Sequence, residues 1–243
     1  MNKYFYDLHV HSCLSPCADN DMTPENIAGM ASLNGLNIVA LTDHNTTKNC
    51  RAFFEAARRY GIVPIAGIEM TTAEDVHVIA LFPDLESAEK FEEEYRKYRI
   101  LYKNRKDIFG DQLIYGEGDE LLGEEENLLL NASTLSIEES VDLVKRFGAV
   151  AFPAHIDREE NGIISALGAL PEEPHFDCIE MRDREKIAEY TEKYGLEEKK
   201  ILVDSDAHYL WDISEAENYV MLEDEPYSSA FVREQLLRHI CPK

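Results

Sequence analysis

Short apolar runs recur along the chain, each followed by a stretch with helical spacing. Tyr4-Phe5-Tyr6, Ile38 to Leu41, Val63 to Ile68, Val76 to Leu81, Ala149 to Phe152, Cys178-Ile179 and Ile201 to Val203 make about seven candidate strands. Runs apolar on both faces predict strands covered on each side. Between them, Thr23-Pro24-Glu25 reads as an N-cap, a proline at the first helical position and an acidic first turn, opening a helix to Leu33. Further helices are expected over Cys50 to Tyr60, from the capping box Ser136-Ile137-Glu138-Glu139 to Phe147, and from Arg184 to Tyr194. Leu85 to Lys106 predicts one long charged helix, broken near Tyr98. A strand over Tyr219 to Leu222 and a helix over Ser228 to His239 end the pattern. Strand and helix alternating through short connections predict an α/β fold with a largely parallel sheet or barrel.

Residues 112–131 depart from that alternation. Gln112 to Tyr115 and Leu128 to Leu130 flank two glycine- and glutamate-rich stretches, which predicts a hairpin or acidic loop inserted into the domain. It is read either as a lid or as a solvated insertion with no part in the chemistry.

At 243 residues and 44% hydrophobic, the chain is expected to form a single domain, 1–243, with a core of ordinary size. No apolar run reaches membrane-spanning length, and Met1 to Tyr4 leads straight into a polar motif, so a cytoplasmic protein is expected. Five scattered cysteines, an odd number, argue for thiols or local ligands over a disulfide framework. A formal net charge of −24 argues against binding duplex nucleic acid, or an anionic membrane, by bulk charge. An anionic substrate stays possible where divalent ions invert the field inside a cleft.

The polar residues explain where such ions would sit. His9, His11, Asp43, His44, Glu69, His155, Glu180, Asp206 and His208 fall at or just past predicted strand ends, while His77 stands near the beginning of a strand. Function gathers at the carboxyl ends of strands in folds of this kind. Asp7, His9 and His11 alternate in an extended segment, so all three are expected to point one way. Six of the eight histidines thus stand at the ends of predicted strands, five at carboxyl ends and His77 at a beginning, and His175 and His239 read as surface residues. Imidazoles with carboxylates suit Zn, Mn or Fe, and a carboxylate such as Glu69 can bridge two ions. Two or three ions within about 4 Å polarise a phosphoryl oxygen and supply hydroxide near neutral pH, which makes metal-assisted hydrolysis the expected reaction.

The ordered set Asp7-x-His9-x-His11, Thr42-Asp43-His44, Gly67-x-Glu69, His77, His155 with Arg158, Glu180 and Ser205-Asp206-Ala207-His208 resembles the polymerase and histidinol phosphatase (PHP) domain family. The resemblance implies a distorted (β/α)7 barrel with a trinuclear metal centre. It implies one ion on His9, His11, Glu69 and Asp206, a second on Glu69, His77 and His155, and a third on His44 and His208. Family members often add a histidine to the third site; here the corresponding residue is Cys17, a ligand that would bias the site towards Zn or else a plain buried thiol. Arg158 is expected to fork onto phosphate oxygens, its alternative being a surface salt bridge. Asp7 and Glu180 are expected to orient ligating imidazoles, and either Asp43 or His208 to protonate the leaving alkoxide.

A metal-dependent phosphoesterase acting on a small phosphomonoester, a nucleotide or a short oligonucleotide is the leading expectation. Amide or lactone hydrolysis of the amidohydrolase type is a second, weakened because no lysine stands where Glu69 does. A metal-stabilised, non-catalytic binding module, with the acidic loop as its contact surface, is a third. Oligomeric state is not legible in the sequence.

Overall fold

The computed structural model describes residues 1–242. Its elements run β1 (Asn2–Val10), α1 (Pro24–Leu33), β2 (Ile38–Leu41), α2 (Cys50–Arg59), β3 (Val63–Thr71), β4 (His77–Phe82), α3 (Leu85–Tyr95), α4 (Lys106–Phe109), β5 (Leu113–Tyr115) and β6 (Leu121–Glu124). They continue as α5 (Ile137–Arg146), β7 (Val150–Pro153), α6 (Ile163–Leu167), β8 (Cys178–Met181), α7 (Ile187–Tyr194), β9 (Lys200–Val203), β10 (Tyr219–Leu222) and α8 (Ser229–Ile240). The caps read from sequence act as such: Thr23 accepts from the Asn26 N–H, and Ser136 and Glu139 form a reciprocal capping box.

The fold is mixed α/β, with a main sheet that curls into a half barrel in the order β10-β1-β2-β3-β4-β7. β1, β2 and β3 run parallel, as the alternation predicts, but β4 is antiparallel to both β3 and β7. The reason is length. A parallel return needs a crossover of a dozen or more residues, whereas only Thr72 to Val76 separate β3 from β4, with Asp75 turning at φ 62°. β8 and β9 form a parallel pair; β8 lies beside β7, and just past β9 Ala207 bridges back to Val10 of β1.

Two apolar clusters hold the sheet. Leu8, Ile38, Ile65, Ile79, Leu81 and Phe152 pack together in one cluster, closed by Val232, Leu236 and Ile240 of α8. Phe53, Phe54, Phe91 and Tyr95 belong to the larger cluster beneath the flanking helices. Leu8 and Val10 fall in different clusters although they stand two apart, because the pairing of β1 with β2 shifts register between Asp7 and Val10. Such a bulge re-aims side chains, and it breaks the simple alternation on which Asp7, His9 and His11 would share a face.

Gly67 sits at a close approach in β3: a Cβ there would meet Thr42 Cγ2 at 2.7 Å, Leu81 Cδ2 at 3.0 Å and the Ala80 carbonyl oxygen at 3.1 Å. Gly67→Ala is expected to destabilise the fold by about 1–3 kcal/mol through overpacking. Thermal unfolding measures this, and an unchanged midpoint would contradict the packing described.

The long helix expected over Leu85 to Lys106 ends at Tyr95. Its last turn carries glutamates and no basic residue, which opposes the helix dipole. The chain then extends, so that the carbonyls of Tyr98 and Tyr102 accept from the N–H groups of Thr134 and Leu128. In residues 112–131, β5 pairs with β6 and not with Leu128 to Leu130. The acidic turn between them leans on the first two helices, where Asp119 accepts from the Glu25 N–H. Leu128 and Leu129 are buried, and Leu130 reaches the cleft described below. No helix among the described residues is long and apolar enough to cross a membrane.

Candidate metal centre and cleft

All the strand-end residues converge at one rim of the curled sheet. The reversal of β4 accounts for His77. Paired with Thr71, it begins a strand whose start lies at the same rim as the carboxyl end of β3. His44 bridges to Glu69, and the Asn45 N–H donates to the Glu69 carbonyl, tying the loop after β2 to β3.

Glu69 is the hub. Its Oε1 lies 2.8 Å from His77 Nδ1, 3.2 Å from His155 Nε2 and 3.4 Å from His9 Nε2. Its Oε2 lies 2.9 Å from His44 Nδ1 and 3.3 Å from His11 Nε2. Asp206 Oδ1 adds contacts of 3.2 Å to His11 Nε2 and 3.4 Å to His9 Nε2. Three groups of donors each lie within 4.8 Å of one another: His9, His11, Glu69 and Asp206; His44, Glu69 and His77; and His11, His44 and His208.

The outer ring nitrogens are committed elsewhere, which aims the inner ones. His9 Nδ1 lies 2.8 Å from Glu180 Oε2, His11 Nδ1 3.0 Å from Ser15 Oγ, and His208 Nδ1 2.8 Å from the Asp206 carbonyl. Donation through Nδ1 leaves Nε2 lone pairs facing one another, with His9 and His11 Nε2 only 3.0 Å apart. Glu69 Oε2 and His44 Nδ1, both buried, have no hydrogen bond of acceptable geometry despite their proximity. Burial alone would raise the Glu69 carboxyl, but the surrounding imidazoles, His77 foremost, hold it well below the usual range. Imidazoles and carboxylates crowded this closely are a donor set that suits divalent cations. Two of these residues are also strained: His155 and Asp206 adopt φ of 25° and 50°, conformations that cost about 1–3 kcal/mol each in non-glycine residues and cluster at functional sites.

Glu180 meets an imidazole as expected, holding His9 and also accepting from the His155 N–H. Asp7 does not. The β1 bulge turns it away from His9, and it accepts from the backbone N–H groups of Ser205 and Ser214, fixing the segment that carries Asp206 and His208. Asp43 is likewise turned from the cleft: it accepts from the Ser12 N–H, the Ser12 hydroxyl and the Ser15 hydroxyl, each at 2.7 Å. Of the two candidate proton donors, only His208 lines the cleft. Sequence reasoning missed Ser12 and Ser15, although Ser12 follows the His-x-His pair directly and Ser15 stands in the loop just beyond it. It also missed Asp204, which is buried and accepts from the Leu8 N–H at 2.6 Å.

The cleft over the cluster has a volume of about 500 Å³. Cys17 lies in its wall; the residue as a whole is exposed, while its sulfur is turned inward towards the His44 and His208 imidazoles. Burial pushes its thiol up, but the charge of His44 and hydrogen bonds with His208 and His44 bring it down to about 5. Arg158 reaches the cleft and donates from Nη1 to Asp206 Oδ2 at 2.7 Å. Arg182, just past β8 and not singled out by sequence, also lines it, 3.6 Å from the same oxygen.

The family model of the PHP domain matches residues 7–133, a span that holds Asp7, His9, His11, Cys17, Asp43, His44, Glu69 and His77. A 5'-3' exoribonuclease from Haemophilus influenzae is 34% identical over 79 residues, covering 31% of this chain and 28% of that protein. The chain thus spans under a third of the length of the curated relatives it matches. Among solved structures, the lesion-specific endonuclease Q of Pyrococcus furiosus superposes with a TM-score of 0.67 at 18% identity, over 99% of this chain and 57% of that one. Endonuclease Q in complex with a 27-mer duplex substrate gives 0.61 at 18% identity, over 96% and 56%. A protein from Bifidobacterium adolescentis, provisionally named a metal-dependent phosphoesterase, gives 0.58 at 19% identity over 96% of each chain. At these identities the structural likeness is one of fold.

Proposed function

Because this chain belongs to the PHP domain family, we propose that it is a metal-dependent phosphoesterase hydrolysing a phosphomonoester or a nucleotide or oligonucleotide phosphate. The observation that carries this reading is the convergence of six imidazoles on Glu69 and Asp206 at one rim of the sheet. His9, His11, Glu69 and Asp206 would hold one ion; Glu69, His77 and His155 a second; His44 and His208, with Cys17 beside them, a third. Zn, Mn and Fe all suit these donors, and the thiolate favours Zn at the third position. Bound there, divalent ions would polarise phosphoryl oxygens and make water acidic enough to act near neutral pH.

The chain's own groups supply the rest. Arg158 and Arg182 present guanidinium donors to the non-reacting phosphate oxygens. His208 is the one candidate proton donor in the cleft wall, and because its Nδ1 is committed to the Asp206 carbonyl it serves the leaving alkoxide only where its Nε2 does not hold the third ion. Glu180 fixes the tautomer of His9.

We read residues 1–243 as one domain built on the family's seven-strand barrel. The neighbour relation of β7 with β8 and the Val10–Ala207 bridge support closure in that order. The expectation that bulk charge excludes duplex nucleic acid is not kept, since a protein of this fold binds a 27-mer duplex as substrate. Amide hydrolysis is disfavoured by the carboxylate of Glu69 at the centre of the cluster, where no lysine stands.

Protein loaded with Mn or Zn is expected to release p-nitrophenol from p-nitrophenyl phosphate and to lose that activity on chelation. If a panel of phosphate mono- and diesters stays intact while bound metal is confirmed, the proposal fails.

A further inference from the structure

The segment that follows His208 carries a feature the hydrolytic reading does not use. Tyr209 and Trp211 stack on one another, ring centroids 4.8 Å apart and planes 17° from parallel. Tyr209 lines the cleft together with His208 and Asp212. Trp211, the only tryptophan of the chain, is 75% exposed, and Tyr209 is 39% exposed. Leu101, Ile108, Leu121 and Leu122, also exposed, belong to the segments around α4 and the β5–β6 hairpin.

The aromatic pair is held rigidly. Asp212 donates its N–H to the Tyr209 carbonyl, closing a tight turn. On one side the turn continues from Asp206 and His208. On the other, buried Ile213 anchors it, with its carbonyl accepting from Asn34 and the next N–H, of Ser214, donating to Asp7. A stacked ring pair anchored beside a polar cleft offers a flat apolar face to a ligand whose charged end lies in that cleft. Arg158 and Arg182 supply charge for the phosphate end of the same ligand.

We propose that Tyr209 and Trp211 form a stacking platform for a nucleobase, so that the preferred substrate is a nucleotide, free or at the end of a single strand, whose phosphate lies over the histidine cluster. Base–aromatic stacking tolerates any base, because every base presents a π-face, and single-stranded ends offer unstacked bases for it. This deepens the reading above and rests on it for the position of the phosphate.

The test uses metal-loaded protein with AMP and with ribose 5-phosphate, the same phosphate without the base. AMP is expected to quench the fluorescence of the single tryptophan saturably, and ribose 5-phosphate to leave it unchanged. Trp211→Ala is expected to lower the ratio of kcat/KM for AMP over ribose 5-phosphate about tenfold, and Trp211→Phe to restore most of it. A single-stranded oligonucleotide that quenches at lower concentration than AMP assigns the platform to strand ends; weaker quenching assigns it to mononucleotides. Equal turnover of AMP and ribose 5-phosphate with no quenching by either nucleotide would overturn the platform while leaving phosphoesterase activity standing. Quenching by AMP without hydrolysis of any ester would sustain the platform and overturn the activity.

Discussion

Glu69→Gln is expected to lower kcat on p-nitrophenyl phosphate by about 10³-fold or more, equivalent to ~4 kcal/mol of transition-state stabilisation, and to remove bound metal. The reason is its position. Two oxygens of one side chain face five imidazole nitrogens, three on Oε1 and two on Oε2, none farther than 3.4 Å. Glutamine keeps the volume but replaces one acceptor oxygen by an N–H donor and removes the charge, so it cannot bridge two cations. Metal content by mass spectrometry should fall by at least one ion per chain while the circular dichroism stays native. Activity within tenfold of the parent at full metal content would show that Glu69 is not the bridge.

Arg158→Ala is expected to lower kcat/KM about 100-fold, since a hydrogen bond to a charged group contributes about 1.5–3 kcal/mol and a guanidinium offers two to a phosphate. The present bond of Arg158 is to Asp206 Oδ2, at 2.7 Å. That contact leaves two outcomes to separate. If Arg158 meets substrate, metal content is unchanged and Arg158→Lys recovers only part of the loss, because an ammonium lacks the planar fork. If Arg158 serves instead to position Asp206, bound metal falls with activity, and the substrate role is refuted. Arg182 stands 3.6 Å from the same carboxylate oxygen, so the double variant should lose more than the sum of the singles if the two share one phosphate.

The residues that cluster around Glu69 were legible because they announce themselves chemically: histidines and carboxylates gathered at the ends of apolar runs have few other uses. The helix caps at Thr23 and Ser136 were legible for the same local reason. What sequence could not convey were departures from periodicity. A register shift between Asp7 and Val10 leaves no mark in composition, yet it decides that His9 faces the cluster while Asp7 faces the backbone of Ser205. Asp43 sits in a motif beside His44, but three donors from Ser12 and Ser15 claim it. The reversal of β4 was readable in principle from the five residues between Thr71 and His77, too few for a crossover. Tyr209 and Trp211 gave no signal, since a single exposed aromatic pair acquires meaning only from what lies next to it.

The short turn between β3 and β4 also has a kinetic consequence. Glu69 and His77 are brought together by a hairpin, whose closure entropy is small and whose contacts are local. His9 and Asp206 meet only when the two ends of the chain do. A nascent or unfolding molecule would therefore possess the hairpin's pair of ligands before, and keep it after, the full cluster exists. Metal encountered during folding has a local foothold to bind first, and the last ligands to arrive are those that depend on the sheet having curled round on itself.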